Sequence, residues 1–360
     1  MAGADVGRRL RVVYWPNWRH DAYLDDLTTG LSGVGVESVP LSVRTALTRR
    51  ADVLHIHWPE MIGAGMLGVP APVRPLARLA RLLGVGAALA LARLRHRPIV
   101  VTLHNLRPHD EGARRHAWVL RTVAGLATVA VVLSEGGRAR VAREHPSLAG
   151  QRFEHVPLMD GAVRFPGMPF EEARRELGVP VDATLVVFFG RIRPYKGVDQ
   201  LVQAFQALDD PSVHLALLGA GTLGDRALEA DARRHPRVTW DGSRVPDRQI
   251  AAGLAAADVI VLPFHDFENS SSVVVAAASG APTAVPDLAP TAELAAEFGD
   301  DSIIRYSGPL DSTELAALIE QARTRPPRGR QRVRRPGRDR HEVAARQREV
   351  YELALRLSGR

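Results

Sequence analysis

Several features are missing from the sequence, and each one excludes classes of protein or site. None of its 360 residues is cysteine, which excludes disulfides, thiolate metal sites and a cysteine nucleophile and fits a reducing cytoplasm. The longest uncharged apolar run, residues 82–92, is well short of the roughly 20 residues that span a bilayer. Residues 1–10 carry charge without the apolar core of a signal peptide, so we expect a cytoplasmic protein. Clustered Asp-x-Asp carboxylates are also missing, which favours a protein that needs no metal.

The rest of the composition is typical of a globular protein with two domains. Hydrophobic residues make up 46% and charged residues 24%, so the chain can bury a core. Its length suits two domains of about 150 to 180 residues each. The net charge of +7 and the pI near 10.5 indicate an acidic partner, which leaves a nucleotide, an anionic lipid surface and a nucleic acid open.

The first half alternates β-rich runs with helical stretches, which predicts a parallel sheet covered by helices. The predicted strands are residues 10–15, 53–57, 99–104 and 128–133. Between them, residues 75–95 repeat Leu and Ala at helical spacing, with Arg78, Arg81, Arg93 and Arg95 interspersed. We expect this basic amphipathic helix to cover the sheet. Peripheral contact with the anionic inner face of a membrane is the alternative.

A second α/β region follows an aperiodic connection that contains Pro and Gly, at residues 165–169. Its predicted helices and strands alternate at residues 170–177, 184–189, 198–208, 213–218, 237–240, 247–256, 259–263 and from 271. We therefore expect an N-terminal domain over residues 1–165 and a C-terminal domain over residues 166–340. A helix within residues 341–360 is expected to pack back on the N-terminal domain.

Residues 325–340 are rich in Arg and Pro, and we expect them to form a solvated loop. This segment lacks the aromatic residues on which bases stack, which argues against a nucleic-acid partner.

Residues 190–197 (GRIRPYKG) carry the strongest chemical signal. They follow an apolar strand and precede a helix, and open α/β sheets bind ligands at the carboxyl ends of their strands. Arg191 offers a planar fork and Lys196 a point charge, and together they can neutralise a diphosphate and stabilise it as a leaving group. An ordinary turn with exposed basic residues is the alternative.

Residues 268–272 (ENSSS) form a second strand end suited to an anion. They follow the strand predicted at residues 259–263 and precede an apolar helical run. Hydroxyl side chains at a helix start cap free amides, and the same amides attract phosphate. A purely structural role for the serines as helix caps is the alternative. Two anion-binding strand ends in one domain, however, favour a single phosphate group that both segments bind.

Taken in order, these segments resemble a known family. GRIRPYKG, LLGAGTLG, VTWDGSRVPDRQI, ADVIVLPF and ASGAPTAVPD resemble the donor domain of the GT4-like glycosyltransferases, and ADVLHIHWPE and VTLHN resemble their acceptor domain. The resemblance implies an α/β GT-B fold, in which two Rossmann-like α/β/α domains face a central cleft. It also implies transfer of a hexose from a UDP- or GDP-linked donor to a glycan, a glycolipid or a small molecule. The nucleotide sugar would be a co-substrate, and no cofactor is implied.

Carried over by position, the resemblance implies roles for individual residues. Arg191 and Lys196 would bind the donor diphosphate, His104 would lie near the transferred sugar, and Arg244 and Val245 would lie beside the nucleobase. The predicted donor-binding residues are Gly190, Arg191, Lys196, Gly219, Arg244, Val245, Glu268, Asn269, Ser270, Ser271 and Ser272.

The predicted acceptor-binding residues are Asn17, His57 and Asn105. We expect His55 and His57 to point to opposite faces of their strand, so that only His57 reaches the site. For His104, a hydrogen-bonded role in the scaffold is the alternative to a catalytic one.

The sequence departs from the family pattern at two positions. Such enzymes carry two glutamates separated by seven residues on the last donor segment, and those places hold Phe267 and Val275 here. Glu268 lies one position from the first. The departure leaves the stereochemical outcome open and makes a catalytically weakened sugar-binding protein an alternative.

Residues 219–224 (GAGTLG) also spell a dinucleotide fingerprint, with Asp241 about 20 residues later. An NAD-dependent oxidoreductase is therefore an alternative, although the motif follows the second strand of its half where that fold demands the first. A sugar-nucleotide epimerase is a further alternative, for which we find no convincing pair of carboxylates.

Overall fold

The protein consists of two compact units in a computed structural model that describes residues 8–16, 21–47, 51–63, 70–106, 113–324 and 331–359. Unit 1 comprises residues 1–158 with 340–360, and unit 2 comprises residues 159–339. In the described part of each unit the strands form one parallel six-stranded sheet. The predicted α/β class is confirmed.

Unit 1 is built on a sheet with the order β2-β1-β3-β4-β5-β6. Its strands are β1 (Leu10–Trp15), β2 (Val36–Pro40), β3 (Val53–Ile56), β4 (Ile99–Leu103), β5 (Val129–Val132) and β6 (Phe153–His155). The helices between them are α1 (Ala22–Gly33), α2 (Val43–Leu47), α3 (Glu60–Gly63), α4 (Arg74–Leu94), α5 (Ala113–Gly125) and α6 (Gly137–Glu144). The residues of β3, β4 and β5 are all buried, as expected of parallel strands that helices cover on both faces.

Unit 2 is built on a sheet with the order β12-β11-β10-β7-β8-β9. Its strands are β7 (Thr184–Phe189), β8 (Val213–Leu218), β9 (Val238–Thr239), β10 (Val259–Val261), β11 (Thr283–Pro286) and β12 (Ile303–Tyr306). Its helices are α7 (Phe170–Leu177), α8 (Val198–Gln206), α9 (Arg226–Arg234), α10 (Asp247–Ala256), α11 (Ser271–Ser279), α12 (Ala289–Phe298) and α13 (Ser312–Arg323).

The last helix, α14 (Arg340–Leu357), belongs to unit 1 and packs against α1. Its Tyr351 is fully buried, and the hydroxyl shares a 2.8 Å hydrogen bond with Nδ1 of His55 on β3. A buried hydrogen bond of this kind fixes both the rotation of the helix about its axis and its position along the sheet.

The Arg/Pro-rich segment differs from the expected solvated loop over residues 331–339. Arg332 donates to the carbonyls of Asp160 and Phe165, and the buried Arg338 forms an ion pair with Glu297. The amide of Val333 also donates to the carbonyl of Ala278. The guanidinium groups are used here to satisfy backbone carbonyls and a carboxylate inside unit 2, which composition alone does not reveal.

Helix α4 covers the sheet of unit 1 with part of its surface. Val85, Leu89 and Ala92 lie in the core of the unit beside the β4 residues. Among the described residues, α4 is the one helix whose length and composition would let it cross a membrane. Its packing against the sheet is also that of a helix in a folded domain.

Candidate active site

In both sheets the chain continues in opposite directions from the first strand. The candidate residues follow β7 and β10 in unit 2, and β3 and β4 in unit 1. In unit 2 the chain runs from β7 through β8 to β9 on one side, and then continues from β10 to β12 on the other. Ligands bind in open α/β sheets at this switch point, beyond the carboxyl ends of the strands. Residues 190–197 follow β7, and residues 262–272 follow its neighbour β10.

Gly190, Lys196 and Ser272 converge at this switch point. A side chain at Gly190 would place its Cβ 3.1 Å from Oγ of Ser272 and 3.3 Å from Nζ of Lys196. The hydroxyl and the ammonium therefore lie next to the same point, within reach of one diphosphate. Gly190 has φ of +110°, which favours glycine, and its missing side chain leaves the space between the two groups open.

The turn that carries Lys196 is fixed against the segment after β10. The amide of His265 donates to the carbonyl of Tyr195 at 2.8 Å. At Gly197, where φ is +63°, a Cβ would lie 2.1 Å from the carbonyl oxygen of Pro263, so a larger residue cannot be placed there. Close backbone packing thus sets the position of the lysine.

Lys196 lies in an apolar environment with other cations nearby. Its ammonium lies 4.5 Å from the centre of the buried Phe264 ring, and that ring packs edge-on against Phe267 at 5.7 Å. Burial, with the charges of Arg191 and Arg193, lowers the pKa of Lys196 to about 8. Lys196 is the single lysine of the sequence.

The serines occupy the start of α11, but they differ in what they do. Ser270 is the N-cap, and its Oγ accepts from the amide of Val273 at 3.3 Å. Ser271 and Ser272 are half-buried in the first turn. Ser270 therefore has the capping role, whereas Ser272 points to Gly190 and Lys196. Glu268 and Asn269 are half-buried in the segment before the cap.

Of the other predicted donor residues, only Gly219 has a direct contact described with this group. Gly219 packs directly on Gly190, since a Cβ there would lie 2.0 Å from the Gly190 carbonyl oxygen. Arg191 is exposed. Arg244 is exposed and Val245 half-buried in the loop between β9 and α10. Trp240 links the start of that loop to the Gly219 carbonyl at 3.3 Å.

Phe267 and Val275 are core residues of unit 2, with 5% and 6% of their surface exposed. The places of the two family glutamates are thus filled by packing side chains. Phe267 supports the ring beneath Lys196 and adds to the burial of the amine.

The start of the helix after residues 219–224 is already occupied by a carboxylate. Asp225 is the N-cap of α9, and its side chain accepts from the amides of Ala227 and Leu228. In a dinucleotide-binding motif a pyrophosphate occupies this position. The structure therefore favours a packed glycine turn over an NAD site.

In unit 1, His104 and Asn105 follow β4 and lie beside Glu60 of α3. Asn105 Nδ2 donates to Oε1 of Glu60 at 2.9 Å, and its Oδ1 lies 3.5 Å from Nδ1 of His104. The His57 and His104 rings are 6.2 Å apart. Asn17 lies outside the described residues.

The expectation that His55 and His57 point to opposite faces is wrong. Their ring centres are 5.7 Å apart, because residues two apart along a strand share a face. His55 is buried and bonded at both nitrogens, to the hydroxyls of Tyr351 and Thr102. Burial lowers the pKa of His55 to about 3 and lowers that of His57 well below its ordinary value.

Glu60 is a candidate that the motif analysis did not single out. It is 7% exposed, and burial raises the pKa of its carboxyl to about 8 against the opposing hydrogen bonds from its own amide and from Asn105. Among the described residues, no group of three or more His, Asp or Glu side chains is placed to hold a metal ion.

Comparison with known proteins gives the same family that the motifs resemble. Residues 183–323 match the family described as glycosyl transferases group 1. The chain is 28% identical over 319 residues to a GDP-mannose:glycolipid 4-beta-D-mannosyltransferase of Xanthomonas campestris pv. campestris, covering 86% of this chain and 82% of that protein.

Two solved structures share the fold. Sucrose-phosphate synthase from Thermosynechococcus elongatus is 18% identical with a TM-score of 0.61, and the alignment covers 98% of both chains. An Anabaena protein in complex with UDP is 15% identical with a TM-score of 0.59, over 98% of this chain and 97% of that one.

Proposed function

Because the chain is a glycosyltransferase with a glycosyl transferases group 1 domain and a GT-B fold, we propose that it transfers mannose from GDP-mannose to a lipid-linked sugar. Support for this donor and acceptor comes from the Xanthomonas relative, whose name states both and whose similarity extends over 86% of this chain. A UDP-linked hexose is the second candidate donor, since a solved structure of the same fold contains UDP.

The observation that carries the proposal is the convergence of Lys196 and Ser272 on Gly190. The donor diphosphate would occupy the space that the missing side chain of Gly190 leaves, against the Lys196 ammonium and the first amides of α11. Arg191, which is exposed nearby, would contact the same group. Negative charge builds up on the departing nucleotide diphosphate, and these fixed donors stabilise it where Phe264 and Phe267 exclude water.

Lys196 is suited to respond to the donor. Its pKa of about 8 leaves part of the amine neutral near neutral pH. An adjacent diphosphate favours the charged form and would raise that pKa, so donor binding and proton uptake are coupled. No metal and no cofactor is required by this scheme, in which the nucleotide sugar is a co-substrate.

We further propose that unit 1 contacts an anionic membrane surface from the cytoplasmic side through α4. Leu76, Leu79 and Leu83 of this helix are 69%, 51% and 64% exposed. Arg74 and Arg78 lie on the same stretch of helix. Exposed leucines beside arginines are suited to the boundary between acyl chains and anionic headgroups, where a lipid-linked acceptor would lie.

A donor screen monitored by nucleotide release, with octyl glycosides as acceptors, tests the proposed function. GDP-mannose should give the fastest release, and GDP should raise the melting temperature of the protein whereas NAD should not. Lys196→Met should lower turnover by at least about tenfold, because it removes a donor to the leaving group, with an unchanged circular dichroism spectrum.

Arg226→Met, which removes an exposed cation on α9 of the same unit, is the matched control and should leave turnover unchanged. Wild-type turnover in Lys196→Met would reject the assignment of the lysine. Binding of GDP-mannose without any release of sugar would identify a binding protein.

A further inference from the structure

Unit 2 contains a cavity that is lined by residues other than the predicted donor residues. It has a volume of about 270 Å³ and lies between residues 165–170, helix α10 and the end of α11. The buried Leu254 and the half-buried Ala255 line it from α10, and Ser279 lines it from α11. Ligand pockets have volumes of roughly 300 to 1,000 Å³, so this cavity suits a small ligand.

The segment that leads into α7 forms an apolar wall of this cavity. Phe165, Met168 and Phe170 are half-buried and line it, with prolines between them. An ion pair of 3.0 Å joins Arg164 to Asp247 at the start of α10. This contact holds the segment against α10, so the wall belongs to the folded unit itself.

Arg332 is the charged residue among those that line the cavity. Its two Nη atoms donate to the carbonyls of Phe165 and Asp160 at 2.9 and 3.1 Å, which uses two of its five N–H groups. Burial lowers the pKa of Arg332, and the charge of Asp160 acts in the opposite direction. Within the described part of the chain, Arg332 has no ion pair with a carboxylate. A half-buried cation of this kind favours an anionic ligand.

The position of Arg332 is set by the backbone of its own segment. The amide of Val333 donates to the carbonyl of Ala278, in the last turn of α11, at 3.0 Å. At Gly280, where φ is +84°, a Cβ would collide with the carbonyl oxygen of Gln331, so glycine lets the two segments approach this closely. The guanidinium is therefore held at the cavity by backbone contacts on both sides of Arg332.

From this combination of an apolar wall and a half-buried cation, we propose that the cavity binds a short aliphatic carboxylate, the chemistry of a fatty acid. The chain lies against Phe165, Met168 and Leu254, and the carboxylate accepts from N–H groups of Arg332. Burial of the chain supplies affinity, and the planar guanidinium selects the carboxylate. This site is additional to the proposed transferase function and does not depend on it.

Helix α11 separates the cavity from the predicted donor site. The helix begins with Ser271 and Ser272 and ends at Ser279. With a rise of 1.5 Å per residue, Ser272 and Ser279 are about 10 Å apart along its axis. A carboxylate in the cavity and a nucleotide at the start of the helix can therefore be bound at the same time.

Isothermal titration calorimetry with octanoate, 1-octanol and acetate tests which parts of the ligand are recognised. Octanoate should bind in a saturable way with a Kd below about 1 mM, as expected of a ligand of about ten non-hydrogen atoms. 1-Octanol lacks the charge and should bind at least about tenfold more weakly. Acetate lacks the chain and should give no saturable binding. Equal affinity for octanol and octanoate would overturn the proposal.

Substitutions at the cavity locate the site. Ala255→Phe fills the cavity from α10 and should abolish octanoate binding. Met168→Glu places a negative charge on the cavity wall and should weaken octanoate binding by at least about tenfold, whereas the neutral Met168→Gln should weaken it less. Ala227→Phe, at an exposed position of α9, is the control for Ala255→Phe and should bind octanoate as wild type does.

Competition with GDP distinguishes the cavity from the donor site. Saturating GDP should leave the affinity for octanoate unchanged, and displacement of octanoate by GDP would overturn the proposal. Wild-type affinity in both Ala255→Phe and Met168→Glu, or no saturable binding of octanoate, would overturn it as well. Should Ala255→Phe be unstable, equal octanoate affinity in Met168→Glu and Met168→Gln decides against it. Octanoate binding by a protein that does not bind GDP would reject the proposed function and leave this site in place.

Discussion

Lys196 and Glu60 show how apolar surroundings set the chemistry of single side chains. Lys196 lies over the Phe264 ring, and its pKa is lowered to about 8. Glu60 is buried at a strand end, and its pKa is raised to about 8. Burial disfavours the charged form of each group, so the two pKa values move towards each other from opposite directions. Each side chain then titrates at about pH 8.

His55 should make the stability of the protein depend on pH. Its pKa falls from an unfolded value near 6.5 to about 3 in the folded state, because the ring is buried. Between these values the unfolded chain binds the extra proton, so the free energy of unfolding should fall with decreasing pH by about 1.4 kcal/mol per pH unit from this group. Urea denaturation at a series of pH values below 6.5 measures the slope.

The slope should be shallower in His55→Gln, whereas His341→Gln, at an exposed position of α14, should keep the wild-type slope. The slope in His55→Gln will not be zero, because burial lowers the pKa of His57 in the same direction. Equal slopes in all three proteins would mean that folding does not lower the pKa of His55.

At the residue scale, the sequence predicted those site residues that belong to a local sequence motif. The turn at residues 190–197 and the serines at 270–272 follow strands directly, and the structure brings Gly190, Lys196 and Ser272 together. Glu60 was missed because its partner Asn105 is 45 positions away, and no local pattern marks such a pair. The position of Glu60 just beyond the end of β3, close in sequence to the predicted His57, could have indicated it as a candidate.

Arg174 of α7 holds together the start of the sheet in unit 2. Its guanidinium donates to the carbonyls of Pro180 and Ala183 and to Oδ2 of Asp258, which also accepts from the amide of Leu185. Arg174→Leu would leave the carboxylate without its cation and should lower the free energy of unfolding by about 3 to 5 kcal/mol. Urea denaturation at neutral pH measures this loss.

Arg175→Leu is the control for that measurement, because Arg175 is the exposed neighbour on the same helix. Its effect should stay within about 0.5 kcal/mol. Similar free energies for both variants would show that the buried ion pair contributes nothing specific.

Helix α4 should be the element through which the protein binds membranes. The variant with both Leu79→Ser and Leu83→Ser should bind vesicles rich in phosphatidylglycerol at least about tenfold more weakly, because two exposed apolar side chains no longer enter the lipid. Sedimentation with vesicles measures binding, and added salt should release the wild type because the arginines act through charge.

Val163→Ser serves as the matched control, since Val163 is a 52% exposed apolar residue of unit 2. It should bind vesicles as wild type does. Wild-type binding by the double leucine variant would place any membrane contact elsewhere.

At the element scale, the strands with long apolar runs were predicted well, whereas four shorter strands were not. The predicted bounds of β1, β7 and β8 agree with the structure. Strands β2, β6, β11 and β12 were missed. Three of them lie at sheet edges, where half-buried residues such as those of FEH weaken the pattern, and β11 is an interior strand of only four residues. Their place becomes clear only when a neighbouring strand pairs with them.

On the scale of the whole molecule, composition indicated an acidic partner but could not identify it. The charge of +7 is consistent with a nucleotide diphosphate and with an anionic lipid surface. The order of the strands in unit 2 favours a nucleotide, because the chain continues in opposite directions from the first strand of that sheet and the turn that carries Lys196 follows this strand. That order depends on pairing between distant segments, which a single sequence does not show.

Chemical labelling of Lys196 tests the central claim, that the second sheet holds the donor diphosphate at this residue. As the single lysine, with a pKa of about 8, it can be acetylated at about pH 7.5 and followed by mass spectrometry. The α-amine of the same chain serves as an internal reference. Excess GDP-mannose should slow acetylation of Lys196 by about tenfold or more and leave the α-amine unaffected. Equal acetylation of Lys196 with and without GDP-mannose would contradict the account.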